Sequence, residues 1–195
     1  MHDRFPAHTL RASLLLAVAL LASSMLRAQQ NLVIDPARSE VHFTLGDVLH
    51  TVHGTFHIQQ GAIAFNRATG EASGSVVVDA LSGQSGNSTR DGRMARDELK
   101  AQSYKDVTFA PTHFTGEFKS AGDSALTVHG VFTLLGVAHE IDVPMQVQVN
   151  GNQVHAVGSF VVPYVQWGLK DPSTLMLRVK KEVQIDLSLM GVLQP

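Results

Sequence analysis

The side chains best able to do chemistry in this sequence are its histidines, and three fall close together: His50, His53 and His57. Imidazole nitrogens bind zinc, each at about 2 Å from the ion. On an extended strand, His53 and His57 share a face but stand about 13 Å apart. His50 and His53 point to opposite faces. A metal or haem site therefore needs a second strand, with His42 as an example. Without one, these imidazoles are polar decoration on an exposed sheet face.

A second polar group is Asn87, Arg90 and Asp91. A guanidinium is suited to a phosphate or quinone oxygen, so Arg90 is a candidate head-group contact. The alternative is structural, with Arg90 and Asp91 pinning a connection to the rim of the fold. Catalytic signatures are missing: the sequence has no G-x-S-x-G, no phosphate loop and no H-E-x-x-H. Asp35, Asp79 and Asp186 are far apart in sequence and converge only if the fold brings them together. The chain reads as a binding protein and not an enzyme, with no cofactor. Cysteine is absent, which excludes disulfides, thiol catalysis, Cys-type zinc sites and a lipoprotein anchor.

The third group is apolar. Phe43, Phe56, Phe65, Phe114, Phe118, Phe132, Phe160 and Trp167 are large side chains spread along the chain. They either fill a core or line a space for an apolar ligand.

The elements that carry these residues are strands. Val41, Phe43 and Leu45 alternate with Glu40, His42 and Thr44, and Ile141 to Val149 alternate with Glu140 to Gln148. Val183, Ile185, Leu187 and Leu189 close the pattern. Period-two alternation marks half-buried strands. Asn66 to Gly70, Ala121-Gly122-Asp123 and Asn150-Gly151-Asn152 are hairpin-type turns. Short gaps make neighbouring strands antiparallel. About eight such strands close into a barrel, which removes exposed edges. A barrel of this size is packed solid or holds one small ligand, and alternation alone does not distinguish the two. One stretch, Gly83 to Tyr104, lacks alternation. Its part from Asp91 to Ala101 is expected to form a short helical crossover with Met94 and Leu99 pointing inward.

Residues 1–28 have a different logic. Arg4 and Arg11 precede the apolar run Ala12 to Ala22, and small residues follow. This is the layout of a secretory signal peptide, too short to span a bilayer comfortably. Cleavage is expected after Ala28, leaving residues 29–195 as one domain in a periplasmic or secreted setting. The net charge of −2 becomes about −4 without residues 1–28, and no basic block exists. A nucleic-acid partner is therefore not expected.

Several segments, taken in order, resemble the YceI-like, polyisoprenoid-binding family. They are Val33 to Phe43, His53-Gly54-Thr55-Phe56, the crossover with Asn87, Arg90-Asp91, Leu99 and Tyr104 to Phe109, Leu126 to Val137, and Trp167-Gly168-Leu169 with the closing strand. The sequence departs from that pattern at Leu135 and Ala138-His139. The resemblance implies a lipocalin-like barrel whose apolar tunnel takes an isoprenoid chain, a polyprenyl lipid or a quinone tail. The expected partner is that isoprenoid or another long-chain lipid, with transient membrane contact. Each buried methylene is worth about 0.8 kcal/mol, so a chain of about 20 carbons gains about 16 kcal/mol gross on leaving water. Two other classes stay open on sequence alone. One is a secreted interaction module with a filled barrel; the other is the histidine-based metal or haem binder.

Overall fold

The computed structural model describes residues 29–46, 51–173 and 178–194. The segment read as a signal peptide and His50 lie outside the described residues. Ten strand segments are present: β1 (Gln29–Ile34), β2 (Glu40–Gly46), β3 (Thr51–Phe56), β4 (Ile58–Asn66), β5 (Ala72–Asp79), β6 (Asp106–Gly116), β7 (Gly122–Leu134), β8 (Val137–Asn150), β9 (Gln153–Val162) and β10 (Val183–Gln194). The alternation sets their faces. In β8, Val143, Met145, Val147 and Val149 are buried while Pro144, Gln146 and Gln148 between them are exposed.

The ten segments fill eight positions around a closed antiparallel barrel. β1 and β2 make one interrupted strand, and β3 and β4 make the next. β1 pairs with β4 and β2 with β3, so the two halves stay in step. From there each strand pairs with its successor, and β10 closes the ring on both β1 and β2. The expected all-β, lipocalin-like barrel of about eight strands is the one observed, wound as a plain meander.

The break between β1 and β2 has a local cause. Pro36 cannot donate to a ladder, and Asp35 accepts a hydrogen bond from the Ala37 N–H (3.0 Å), capping a 3₁₀ turn at Pro36–Arg38. Ser39 then stitches the break to β10. Its hydroxyl donates to the Asp35 carbonyl (2.7 Å) and accepts from the Met190 N–H (2.9 Å).

The two ends of the barrel differ. One carries tight hairpins: Gly151 opens the β8–β9 turn at φ 61°, the conformation a two-residue hairpin demands of its first central residue and glycine supplies most easily. The other end carries two long connections, residues 80–105 and 163–182. The first holds the one α-helix among the described residues, α1 (Ser88–Arg93), continued by a π-turn at Met94–Glu98. It lies beside β3, where Thr55 and Gln84 exchange backbone hydrogen bonds. This connection takes the place that a longer β5 would have occupied.

Candidate functional site

The barrel interior is not filled. A cavity of about 280 Å³ runs through it, with walls from every strand segment except β1. Phe43, Phe56, Phe132 and Phe160 are among its lining side chains, as is Phe109, which sequence reading did not single out as a site residue. The cavity reaches the end covered by the long connections, where Met94, Glu98, Leu99, Leu169 and the exposed Pro172 surround it. Met94 and Leu99 point inward as expected.

A second cavity of about 90 Å³ lies towards the hairpin end. Phe65, Phe114 and Phe118 line it. Their rings pack together, with centroids 4.9 Å apart for Phe65 and Phe118 and 6.1 Å for Phe65 and Phe114. The Arg67 guanidinium lies over Phe118 at 4.9 Å, a cation–π contact. The two cavities share the walls Ile63, Val128, Met145 and Leu189. These four side chains are the partition between them.

Neighbouring strands make room for the large lining residues. Phe43 on β2 is paired with Gly54 on β3. A Cβ on Gly54 would collide with the Phe43 ring on one side and the Gln84 carbonyl on the other.

Trp167 stands apart from the other aromatics. It lines neither cavity and belongs to the connection after β9. Its indole stacks on His139 at 3.9 Å and 7° and leans on Phe132 at 5.8 Å. Trp167 therefore backs the cavity wall through Phe132.

Arg90 and Asp91 come together on one residue, Ser85, and Asn87 stands at the head of the same helix. Asn87 caps α1 by accepting from the Arg90 N–H (3.1 Å). The Arg90 guanidinium donates to the Ser85 hydroxyl and carbonyl, both at 2.7 Å. The Asp91 carboxylate accepts from the Ser85 N–H (2.9 Å) and from its hydroxyl. The three are absent from the lining of both cavities.

Among the described residues, the histidines bond to side chains near them and do not gather around a common point. His53 shares a hydrogen bond with Thr44 (3.0 Å), and His42 bonds Glu40 (2.9 Å) on the same strand. His129 bonds Asp142 (2.5 Å) and stacks on His113 at 4.2 Å. No three His, Asp or Glu side chains among the described residues are placed to hold a metal ion. Asp35, Asp79 and Asp186 are likewise dispersed. The first two cap backbone turns, accepting from the Ala37 and Leu81 N–H groups, and Asp186 accepts from Ser159 on the exposed face of β10.

At the covered end, two titratable groups do reach the main cavity. Tyr164 is buried and donates its phenol proton to the Lys180 carbonyl (2.7 Å), tying the start of residues 163–182 to their end. Burial, followed by the nearby Asp171 and Glu98 charges, pushes this phenol up to about 12. Glu98 also lines the cavity, and its Oε2 is buried with no hydrogen-bond partner among the described residues. Desolvation pushes its carboxyl above the usual range. Sequence reading missed Glu98 because it lies in a charged stretch, Arg96-Asp97-Glu98, that looks solvated throughout.

Comparison with known proteins gives a consistent family. The YceI-like domain profile matches residues 32–190. Among solved structures, the chain is similar to BcnA from Burkholderia cenocepacia, with a TM-score of 0.65 at 22% identity, covering 80% of this chain and 98% of that one. It is similar also to a polyisoprenoid binding domain from Saccharophagus degradans implicated in plant cell wall breakdown, with a TM-score of 0.60 at 19% identity, covering 83% and 97%. The YceI protein of Campylobacter jejuni superposes with a TM-score of 0.55 at 16% identity, covering 68% and 79%. No curated protein matches the chain.

Proposed function

The chain belongs to the YceI-like family, and we propose that it is an exported carrier that holds an isoprenoid chain, a polyprenyl lipid or quinone tail, inside its barrel. The observation that carries this reading is the apolar cavity of about 280 Å³, which sits near the lower bound of ligand pockets. A filled-barrel interaction module would have no use for such a space. The solved polyisoprenoid binding domain of similar fold supports the ligand class.

The energetics suit a carrier. Each methylene moved from water gains about 0.8 kcal/mol, but the ligand's other home is a bilayer of equal apolarity. Transfer between membrane and barrel is then close to balanced, and loading and unloading are both accessible. Export rests on the layout of residues 1–28.

The test is equilibrium binding of a 20-carbon isoprenoid alcohol to the chain and to two variants. Phe132 lines the cavity between Phe160 and Trp167, with centroids 5.7 Å and 5.8 Å away. Phe132→Glu is expected to abolish binding in a folded protein, because an ionised carboxylate in the apolar wall is strongly disfavoured. Val161, 47% exposed on β9, serves as the control. Val161→Glu is expected to bind normally. Equal binding by both variants contradicts an interior site.

A further inference from the structure

Resting on the isoprenoid reading above, we propose that the cavity selects chains ending in an uncharged hydroxyl-bearing group over chains ending in a phosphate or diphosphate, and that Glu98 receives that hydroxyl. Glu98 is the one charged side chain lining either cavity among the described residues. The π-turn puts it there. The Leu99 N–H reaches back five residues to the Met94 carbonyl (2.9 Å), and this wider turn presents Met94, Glu98 and Leu99 together to the cavity. Such turns are rare and are frequent at functional sites.

The Glu98 Oε2 is buried and unpartnered among the described residues. A carboxyl oxygen accepts a hydrogen bond from a hydroxyl in either protonation state. Facing a phosphate, an ionised carboxylate offers only repulsion. The charges acting on Glu98 are Lys170 on one side and Asp97 and Asp171 on the other, with Asp97 itself paired to Arg96 at 2.9 Å. Neither Arg90 nor Arg67 lines the main cavity. Arg90 is held on Ser85, and Arg67 covers Phe118 at the opposite end. The other titratable lining group, Tyr164, spends its proton on the Lys180 carbonyl.

The experiment compares three probes of one chain length on the purified full chain at pH 7: geranylgeraniol, geranylgeranyl diphosphate and the corresponding hydrocarbon. The alcohol is expected to bind at least tenfold more tightly than the diphosphate. Glu98→Gln, which keeps shape but removes charge, is expected to recover diphosphate binding at least tenfold. Glu98→Leu is expected to bring alcohol affinity down to that of the hydrocarbon. A diphosphate preference in the unaltered chain overturns the proposal, as does an unchanged preference in folded Glu98→Gln. Hydrocarbon binding with no alcohol preference removes the head-group assignment and leaves the carrier reading standing. Binding of none of the three removes both.

Discussion

Met145 on β8 lays its thioether across Gly158 on β9, in the space that a Cβ on that glycine would fill. Met145 is one of the four side chains that belong to the walls of both cavities and divide the barrel interior. Methionine is unbranched and adaptable, so it makes a yielding partition. Met145→Ala is expected to join the two spaces and shift the preferred ligand towards longer isoprenoids. Truncating a buried methionine costs about 2–5 kcal/mol, so the apo variant should be less stable and regain more on binding. A chain-length series measured by competition checks this. An unchanged length optimum argues that the ligand stops short of Met145.

The Phe43–Gly54 pair predicts a different failure. Gly54→Ala forces a methyl against the Phe43 ring and the Gln84 carbonyl. Overpacking of this kind costs about 1–3 kcal/mol. The backbone bridge between Thr55 and Gln84 should weaken with it, loosening residues 80–105 from β3. Urea denaturation reads the stability loss, and amide exchange at Thr55 and Gln84 reads the bridge.

The Ser85 knot separates two roles for Arg90. As a positioning group it should matter to order at the covered end of the barrel. Arg90→Ala removes two hydrogen bonds to Ser85, with a loss of about 1–3 kcal/mol expected for bonds to a charged donor. Hydrogen exchange should rise through α1 and the π-turn. A drop in affinity for anionic lipids with exchange unchanged would show a head-group contact instead.

Tyr164 gives a pH signature. Its phenol ionises near 12 in the fold and near 10 in the unfolded chain. The folded pKa is the higher, so this group's contribution is whole below about pH 10. It is lost as pH rises through the folded value. In a Tyr104→Phe background, Tyr164 is the one tyrosine left, and absorbance titration should place its midpoint near 12. Tyr164→Phe should flatten the loss of stability across that window.

Most of the fold was legible in the sequence because one face of every strand is buried and the other is wet. Ile141 to Val149 shows this most clearly: its alternation is its burial pattern. The turn at Asn150-Gly151-Asn152 was equally plain, since few residues other than glycine take the conformation found at Gly151. The division of the first strands by the Asp35-Pro36 turn and the partition at Met145 were not legible. Both depend on which residues face each other across strands, and alternation carries no register. Glu98 was hidden because a π-turn shifts the helical face, and charged neighbours make it look like a solvated position. Trp167 was grouped with the lining aromatics by type alone. Its place on His139 and behind Phe132 comes from the path of residues 163–169, which no local pattern encodes.

An isoprenoid held inside the barrel is visible to native mass spectrometry of the chain purified from cells. A population heavier by one bound molecule is expected, which organic extraction releases and identifies as a prenyl chain, with Phe132→Glu running at the mass of the bare protein. A bare mass for the unaltered chain, together with refusal of added geranylgeraniol, would contradict the carrier reading.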